Sequence, residues 1–209
     1  MKNLLIIGAR GFGREVYNTA IESLGYKRNF IVKGFLDDKE TALDDYKGYP
    51  PIISSVEDYT PQKDDVFICA LGEVSYKKKY TEIILSKGGE FINIIHRDVY
   101  IGSNTKLGVG CFFASGVKIS CDVRIGNFVT MNFSSVVGHD AQIGDFSHLN
   151  SMSFMGGFSI LEECSTLHTS AILLPHKKIG KNSVVGAGAM VYKNVKENTT
   201  VFGNPAQEL

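Results

Sequence analysis

One periodicity constrains this chain more than any other feature. Stepping by six from Ile101 gives Ile101, Leu107, Phe113, Ile119, Ile125, Met131, Val137, Ile143, Leu149, Met155, Leu161, Leu167, Leu173, Ile179, Val185 and Val191, an unbroken series of apolar side chains. The chain is 44% hydrophobic, so chance produces such a run with a probability of about two in a million in any one phase. Two places before each sits mostly Ser, Thr, Ala, Val or Cys, and the place after is often glycine, as at Gly102, Gly126, Gly138, Gly144 and Gly156. A hexad with one large and one small inward side chain closes a three-sided prism, with residues three hexads apart stacked in successive coils. That is a parallel β-helix of about five coils. No hexad is interrupted, so no long loop leaves its body.

Residues 1–96 follow a different rhythm. Leu4 to Ile7 is an apolar run ending at Gly8, Arg14 to Leu24 has helical spacing, and Phe30 to Leu36 returns to β-rich composition, which reads as β-α-β. Val66 to Leu71 then precedes a helix-like stretch from Tyr76 to Ser86, with Lys77, Lys78 and Lys79 expected on a solvated face, and a strand-like Phe91 to Ile95. The order predicts a small, mostly parallel α/β domain of Rossmann-like type over 1–96, followed by the β-helix over 97–209.

Lys+Arg 22 against Asp+Glu 22 leaves no net charge, so the basic surplus that drives phosphate-backbone binding is missing and nucleic acid is not an expected partner. The longest apolar stretches fall far short of the roughly 20 residues that cross a bilayer, which predicts no membrane insertion. The apolar run at Leu4 is too short for a signal-peptide core, so a cytoplasmic protein is expected. Cys69, Cys111, Cys121 and Cys164 form no C-x-x-C pair and read as packing residues.

Four stretches are specific enough to carry a family resemblance: Gly8-Ala9-Arg10-Gly11-Phe12-Gly13 after the first strand, Leu36-Asp37-Asp38, the segment from Gly138-His139-Asp140 to His148, and the tail Gly203-Asn204-Pro205-Ala206. With a small nucleotide-binding domain in front of the hexads, the whole chain resembles the NeuD/PglD-type nucleotide-sugar acetyltransferases of the hexapeptide-repeat family. The resemblance implies a left-handed β-helix, acetyl-CoA as co-substrate without a metal, and a nucleotide-linked amino sugar as acceptor.

Gly8-x-x-Gly11-x-Gly13 lies where a strand turns into a helix, a place where backbone N–H groups can approach a phosphate, although a bare tight turn satisfies the same pattern. Asp37 or Asp38 stands where a dinucleotide fold has its acidic ribose reader. The resemblance instead assigns Gly8, Arg10, Gly11 and Phe12 to the phosphates and Asp37 and Asp38 to the base side of a nucleotide sugar. Gly72-Glu73 closes the next strand at the edge where α/β sheets bind ligands.

Among the histidines, His139 stands apart. It sits two places after inward Val137, at a corner of the prism. Asp140 follows it, and the stacked position one coil on is Gly157, which leaves a side-chain-free slot beside the imidazole. By the family motif, His139 is the general base and Asp140 its orienting group. Asn132 and His148 match substrate positions, and Gly157, Thr169 and Ala187 match the cofactor groove; His168 and His176 have no match and read as surface or interface residues. Half a coil separates His148 from His139, so they would meet only between subunits, and a homotrimer is expected. Outward Phe112, Phe128, Phe146 and Phe154 would be covered in it. Two other classes compete. A γ-carbonic-anhydrase-like lyase would need two histidines five residues apart, which the chain lacks. A non-catalytic nucleotide-sugar-binding module would leave the His139-Asp140 pair unused.

Overall fold

The structure, a computed structural model, describes residues 1–209. It divides into two compact units, Met1–Arg97 and Asp98–Leu209.

The first unit is built on β1 (Lys2–Ile7), α1 (Gly11–Glu22), β2 (Phe30–Leu36), β3 (Ile52–Ser54), β4 (Asp65–Cys69), α2 (Val74–Ser86) and β5 (Glu90–Phe91). The strands form one parallel sheet in the order β3-β2-β1-β4-β5. Leu4 to Ile7, Phe35, Leu36 and Val66 to Ile68 are almost wholly inaccessible and make the core. Successive strands run outward from β1 to β3 and then restart on its other side at β4, so a crevice opens at the carboxyl ends of β1 and β4. The stretch from Phe91 to Ile95 resolves into two short strands, of which only β5 joins this sheet.

The lysine run on α2 departs from expectation. Lys77 is 1% exposed, because the inward stripe of the helix passes through Lys77, Thr81 and Ile84 at helical spacing and lays them on β4. Of the three only Lys79 is exposed, and it pairs with Glu57 at 3.1 Å.

The second unit is a parallel β-helix of two-residue strands, one per hexad. Each strand pairs in parallel with the strand three hexads on, as Lys118 with Val136 and Val136 with Phe154. One face runs from Tyr100–Ile101 to Met190–Val191, the second from Lys106–Leu107 to Lys178–Ile179, and the third from Phe112–Phe113 to Thr200–Phe202, finished by the antiparallel Gln207–Glu208. The periodic residues point inward and are buried from Phe113 onward, leaving only Ile101 and Leu107 of the first coil partly exposed. Several serines two places earlier bury hydroxyls that donate to corner carbonyls, as Ser159 to Gly156 and Ser165 to Gly180, both at 2.6 Å, whereas those of Ser135 and Ser153 are buried without a partner.

Corner geometry also corrects the placement of the outward phenylalanines. Phe112 and Phe128 are buried, Phe146 is half-buried, and only Phe154, at 39% exposure, is open. Phe128 and Phe146 are not on a face at all. They occupy left-handed corner positions (φ 57° and 58°) and stack on each other at 4.8 Å. The outward apolar stripe lies instead on the first face, along Val136, Phe154, Ile172 and Met190, with the exposed Lys118 separating it from Tyr100.

Candidate active site

In the first unit, the crevice is a cavity of about 470 Å³ whose lining includes Gly8, Arg10, Phe12, Asp37, Asp38 and Gly72. Gly8 adopts φ +96°, and a Cβ there would lie 2.9 Å from the Leu71 side chain, so the turn after β1 requires glycine. At Gly13 a Cβ would collide with the Gly8 carbonyl, which is how α1 packs tightly onto the loop. Gly11 and Gly72 face open space, with nothing within 4 Å of a Cβ. The first turn of α1 has no side-chain cap and no acidic residue. Its amide N–H groups and the positive end of the helix dipole therefore suit an anion such as a phosphate.

The two aspartates differ in kind. Asp37 is 9% exposed and spends its carboxylate on the backbone, accepting from Ala9 N–H at 2.8 Å and from Lys39 N–H at 2.9 Å. It braces the loops after β1 and β2. Asp38 is exposed and accepts the Tyr80 hydroxyl at 2.8 Å. Partial burial, and next the Asp38 carboxylate, push the Tyr80 hydroxyl up to about 12, so it stays a donor at neutral pH. Tyr80 and Tyr76 line the same cavity with rings 6.4 Å apart and 18° from parallel. Neither tyrosine was singled out from sequence. Their spacing of one helical turn was visible, but not that the start of α2 borders the crevice.

In the β-helix, His139 and Asp140 occupy the corner between the first and second faces, with Asp140 in the left-handed conformation (φ 58°). His139 Nδ1 lies 2.8 Å from Asp140 Oδ2. The His139 side chain is 56% exposed. Gly157 sits directly beside the ring, since a Cβ on it would be 2.8 Å from Nε2 and 2.9 Å from Cε1. Phe158 meets the imidazole edge-on at 5.2 Å and 88°, and His176 stacks on Phe158 at 5.0 Å and 5°. A carboxylate on Nδ1 selects the tautomer with the lone pair on Nε2, the atom next to the glycine, so the pair can accept a proton there.

Other residues singled out from sequence lie elsewhere on the prism. Asn132, Thr169 and Ala187 belong to the corner between the third and first faces, where Asn132 donates to Asn150 at 3.0 Å and Asn150 contacts His168 Nδ1 at 3.1 Å. His148 stands on the third face, 3% exposed. A whole face separates each of them from His139 within one chain. No group of three or more His, Cys, Asp or Glu side chains comes together that could hold a metal ion.

Comparison with known proteins adds to this geometry. Residues 3–84 match the PglD N-terminal domain family. The chain is 29% identical, over 98% of its length and 95% of the relative's, to a GDP-perosamine N-acetyltransferase of Escherichia coli O157:H7. The acetyltransferase domain of PglB from Neisseria gonorrhoeae FA1090 covers the whole chain and is itself wholly covered, with a TM-score of 0.90 at 24% identity. PerB from Caulobacter crescentus, solved with CoA and GDP-perosamine, gives 0.89 at 23% identity, covering 100% of this chain and 98% of its own. The α/β unit and the hexad prism thus share the fold of these solved structures, and residues 3–84 match the PglD N-terminal domain family.

Proposed function

We propose that this protein transfers the acetyl group of acetyl-CoA to the amino group of a nucleotide-linked sugar in bacterial glycan biosynthesis. The observation that carries the reading is the His139 corner, where a base is anchored through Nδ1 while its Nε2 borders a slot kept clear by Gly157. The E. coli relative is named for acetylation of GDP-perosamine. The PglB acetyltransferase domain has been solved with acetyl coenzyme A and matches at 25% identity and a TM-score of 0.87.

The unit Met1–Arg97 holds the nucleotide, with the phosphates at Gly8, Arg10, Gly11, Phe12 and the start of α1, and the base side towards Asp38, Tyr76 and Tyr80. At the corner, His139 Nε2 takes the proton of the amine as nitrogen attacks the thioester carbon. Asp140 stabilises the imidazolium that results, and a backbone N–H receives the oxyanion. The tetrahedral intermediate expels the CoA thiolate, which recovers the proton from His139. No covalent bond to the protein forms. A hydroxyl acceptor would need the same base.

The functional unit is a homotrimer acting in the cytoplasm, where acetyl-CoA and sugar nucleotides are made. A neighbour's Asn132, His148, Thr169 and Ala187 complete the site at each His139. The apolar first face supplies the surface for that association.

The test is acetyl-CoA turnover over GDP-, UDP-, dTDP- and CMP-linked amino sugars, beginning with GDP-perosamine. His139→Ala is expected to lower kcat by about a hundredfold or more while CoA still binds. Near wild-type turnover in that variant removes His139 from the mechanism. Light scattering that gives a single-subunit mass for the active protein overturns the trimer.

A further inference from the structure

The corner that carries His139 continues past Gly157 into an aromatic pillar that the reaction as described does not use. Asp140, Phe158 and His176 are stacked three hexads apart in one column, all in the left-handed conformation, with φ of 58°, 57° and 60°. Asp and Asn tolerate that conformation because their short side chains can hydrogen-bond locally, whereas a phenylalanine gains nothing of the kind. Phe158 is also 48% exposed. The conformation itself recurs at successive corners, where Phe128 and Phe146 adopt it while stacked on each other; Phe158 differs in standing half-open against the ring of His139.

We propose that Phe158 is a positioning residue for His139, holding the imidazole in the one orientation that points its free nitrogen over Gly157; this rests on the reading of His139 as the general base. Three contacts define the ring. Asp140 holds Nδ1 at 2.8 Å, the bare Cα of Gly157 leaves room for the flat of the ring, and Phe158 closes the remaining side perpendicular to it at 5.2 Å. Without the third, an imidazole that is 56% exposed can swing away from the glycine and exchange its carboxylate for water. The backbone fixes Phe158 relative to its target, because its N–H donates to the His139 carbonyl at 2.9 Å. The ring is fixed from behind by His176, parallel at 5.0 Å, whose own N–H donates to the Gly157 carbonyl at 3.0 Å. Phe158 also stacks one coil above Asp140, so its ring limits the water that can compete for the His139–Asp140 hydrogen bond. Edge-to-face contact between rings is directional, which is what an orienting role requires and what an aliphatic side chain would not supply.

The experiment uses the full-length protein and the variants Phe158→Ala, Phe158→Leu and Phe158→Tyr. Nitrogen-15 NMR of the ligand-free protein, with His139 identified by its absence in His139→Ala, reads the tautomer directly. Wild type and Phe158→Tyr are expected to show a single Nδ1–H form, and Phe158→Ala and Phe158→Leu a mixture. In turnover, Phe158→Ala is expected to lose about tenfold in kcat with both KM values within about twofold. Phe158→Tyr should recover most of that loss, and Phe158→Ala should cost nothing further in a His139→Ala background. A pure Nδ1–H tautomer in Phe158→Ala overturns the proposal, as does a rise in KM for acetyl-CoA at unchanged kcat, which would make Phe158 a wall of the thioester's path. The NMR arm needs no substrate, so it decides the role of Phe158 even where the assignment of the reaction fails. Loss of that assignment would be seen separately as full activity in His139→Ala.

Discussion

Gly157→Ala is the perturbation whose outcome the geometry fixes most tightly. A methyl group at this position would lie 2.8 Å from His139 Nε2, 2.9 Å from Cε1 and 3.3 Å from Cδ2, and no other residue would come as close. Ordinary contact starts near 3.4 Å, so the imidazole must retreat by about 0.6 Å at its catalytic nitrogen. It can do so only by rotating off Asp140 or by tilting into Phe158. Misplacing a reacting group by about 1 Å costs on the order of a hundredfold, so a loss of about ten- to a hundredfold in kcat is expected. Stability should move the other way. Gly157 is not in the left-handed region, and alanine restricts the unfolded chain by about 0.4–1 kcal/mol. The displaced atoms belong to an exposed side chain rather than to backbone. The assay is CoA-thiol release alongside calorimetry. The expected result is a reduced kcat, a raised KM for acetyl-CoA as the slot narrows, an unchanged KM for the nucleotide sugar, and a Tm equal to or slightly above wild type. Wild-type kcat would refute the placement of the base, and a Tm that fell with the activity would show that Gly157 serves the fold.

The nucleotide unit offers a matched pair of glycines. Gly13→Ala should destabilise by about 3 kcal/mol, because its methyl group meets the Gly8 backbone carbonyl, whereas Gly11→Ala should leave Tm unchanged and raise KM for the nucleotide sugar; calorimetry and initial rates separate them. Asp38→Ala should raise that same KM and spare the one for acetyl-CoA, while Asp37→Ala should also cost about 1–3 kcal/mol by leaving the buried Ala9 N–H without its acceptor. Asp65 contributes to acid stability. Burial raises its pKa, but the Tyr59 hydroxyl, the Gln62 N–H and Lys33 outweigh that and leave it below 3.8, so its stabilisation is complete above the unfolded value and is lost as pH falls through the depressed folded one. Asp65→Asn should therefore be less stable at neutral pH in denaturant titrations and should flatten the loss of stability below about pH 4.

The prism was legible because a hexad period leaves no freedom: each inward residue repeats its neighbour's environment, so sixteen positions vote on one architecture. What occupies a corner is not voted on in that way. Phe128 and Phe146 read as outward face residues only while the corners are taken to be small or polar, and their stacking depends on a backbone conformation that aromatic residues seldom declare in sequence. The run Lys77-Lys78-Lys79 fails for a related reason. Charge suggests solvent, yet helical phase sets which of three successive residues faces the sheet, and that phase is fixed by Thr81 and Ile84 further along α2.

The site divides along the same line. His139, Asp140 and Gly157 could be related on paper because stacking by three hexads is arithmetic, and the same arithmetic carries Asp140 to Phe158 and His176. Phe158 carries no acid–base chemistry to draw attention, and His176, without a motif match, reads from sequence as a surface or interface residue; only the stacking joins both to His139. The aspartates of the first unit show the converse limit. Adjacent in sequence and identical in type, they diverge because the turn after β2 directs Asp37 inward to two backbone amides and Asp38 outward to Tyr80. Residue type and spacing can nominate a carboxylate for ligand binding, but whether its oxygens are already committed is decided by the loop that presents them. On that ground the ligand-facing role falls to Asp38 and the bracing role to Asp37.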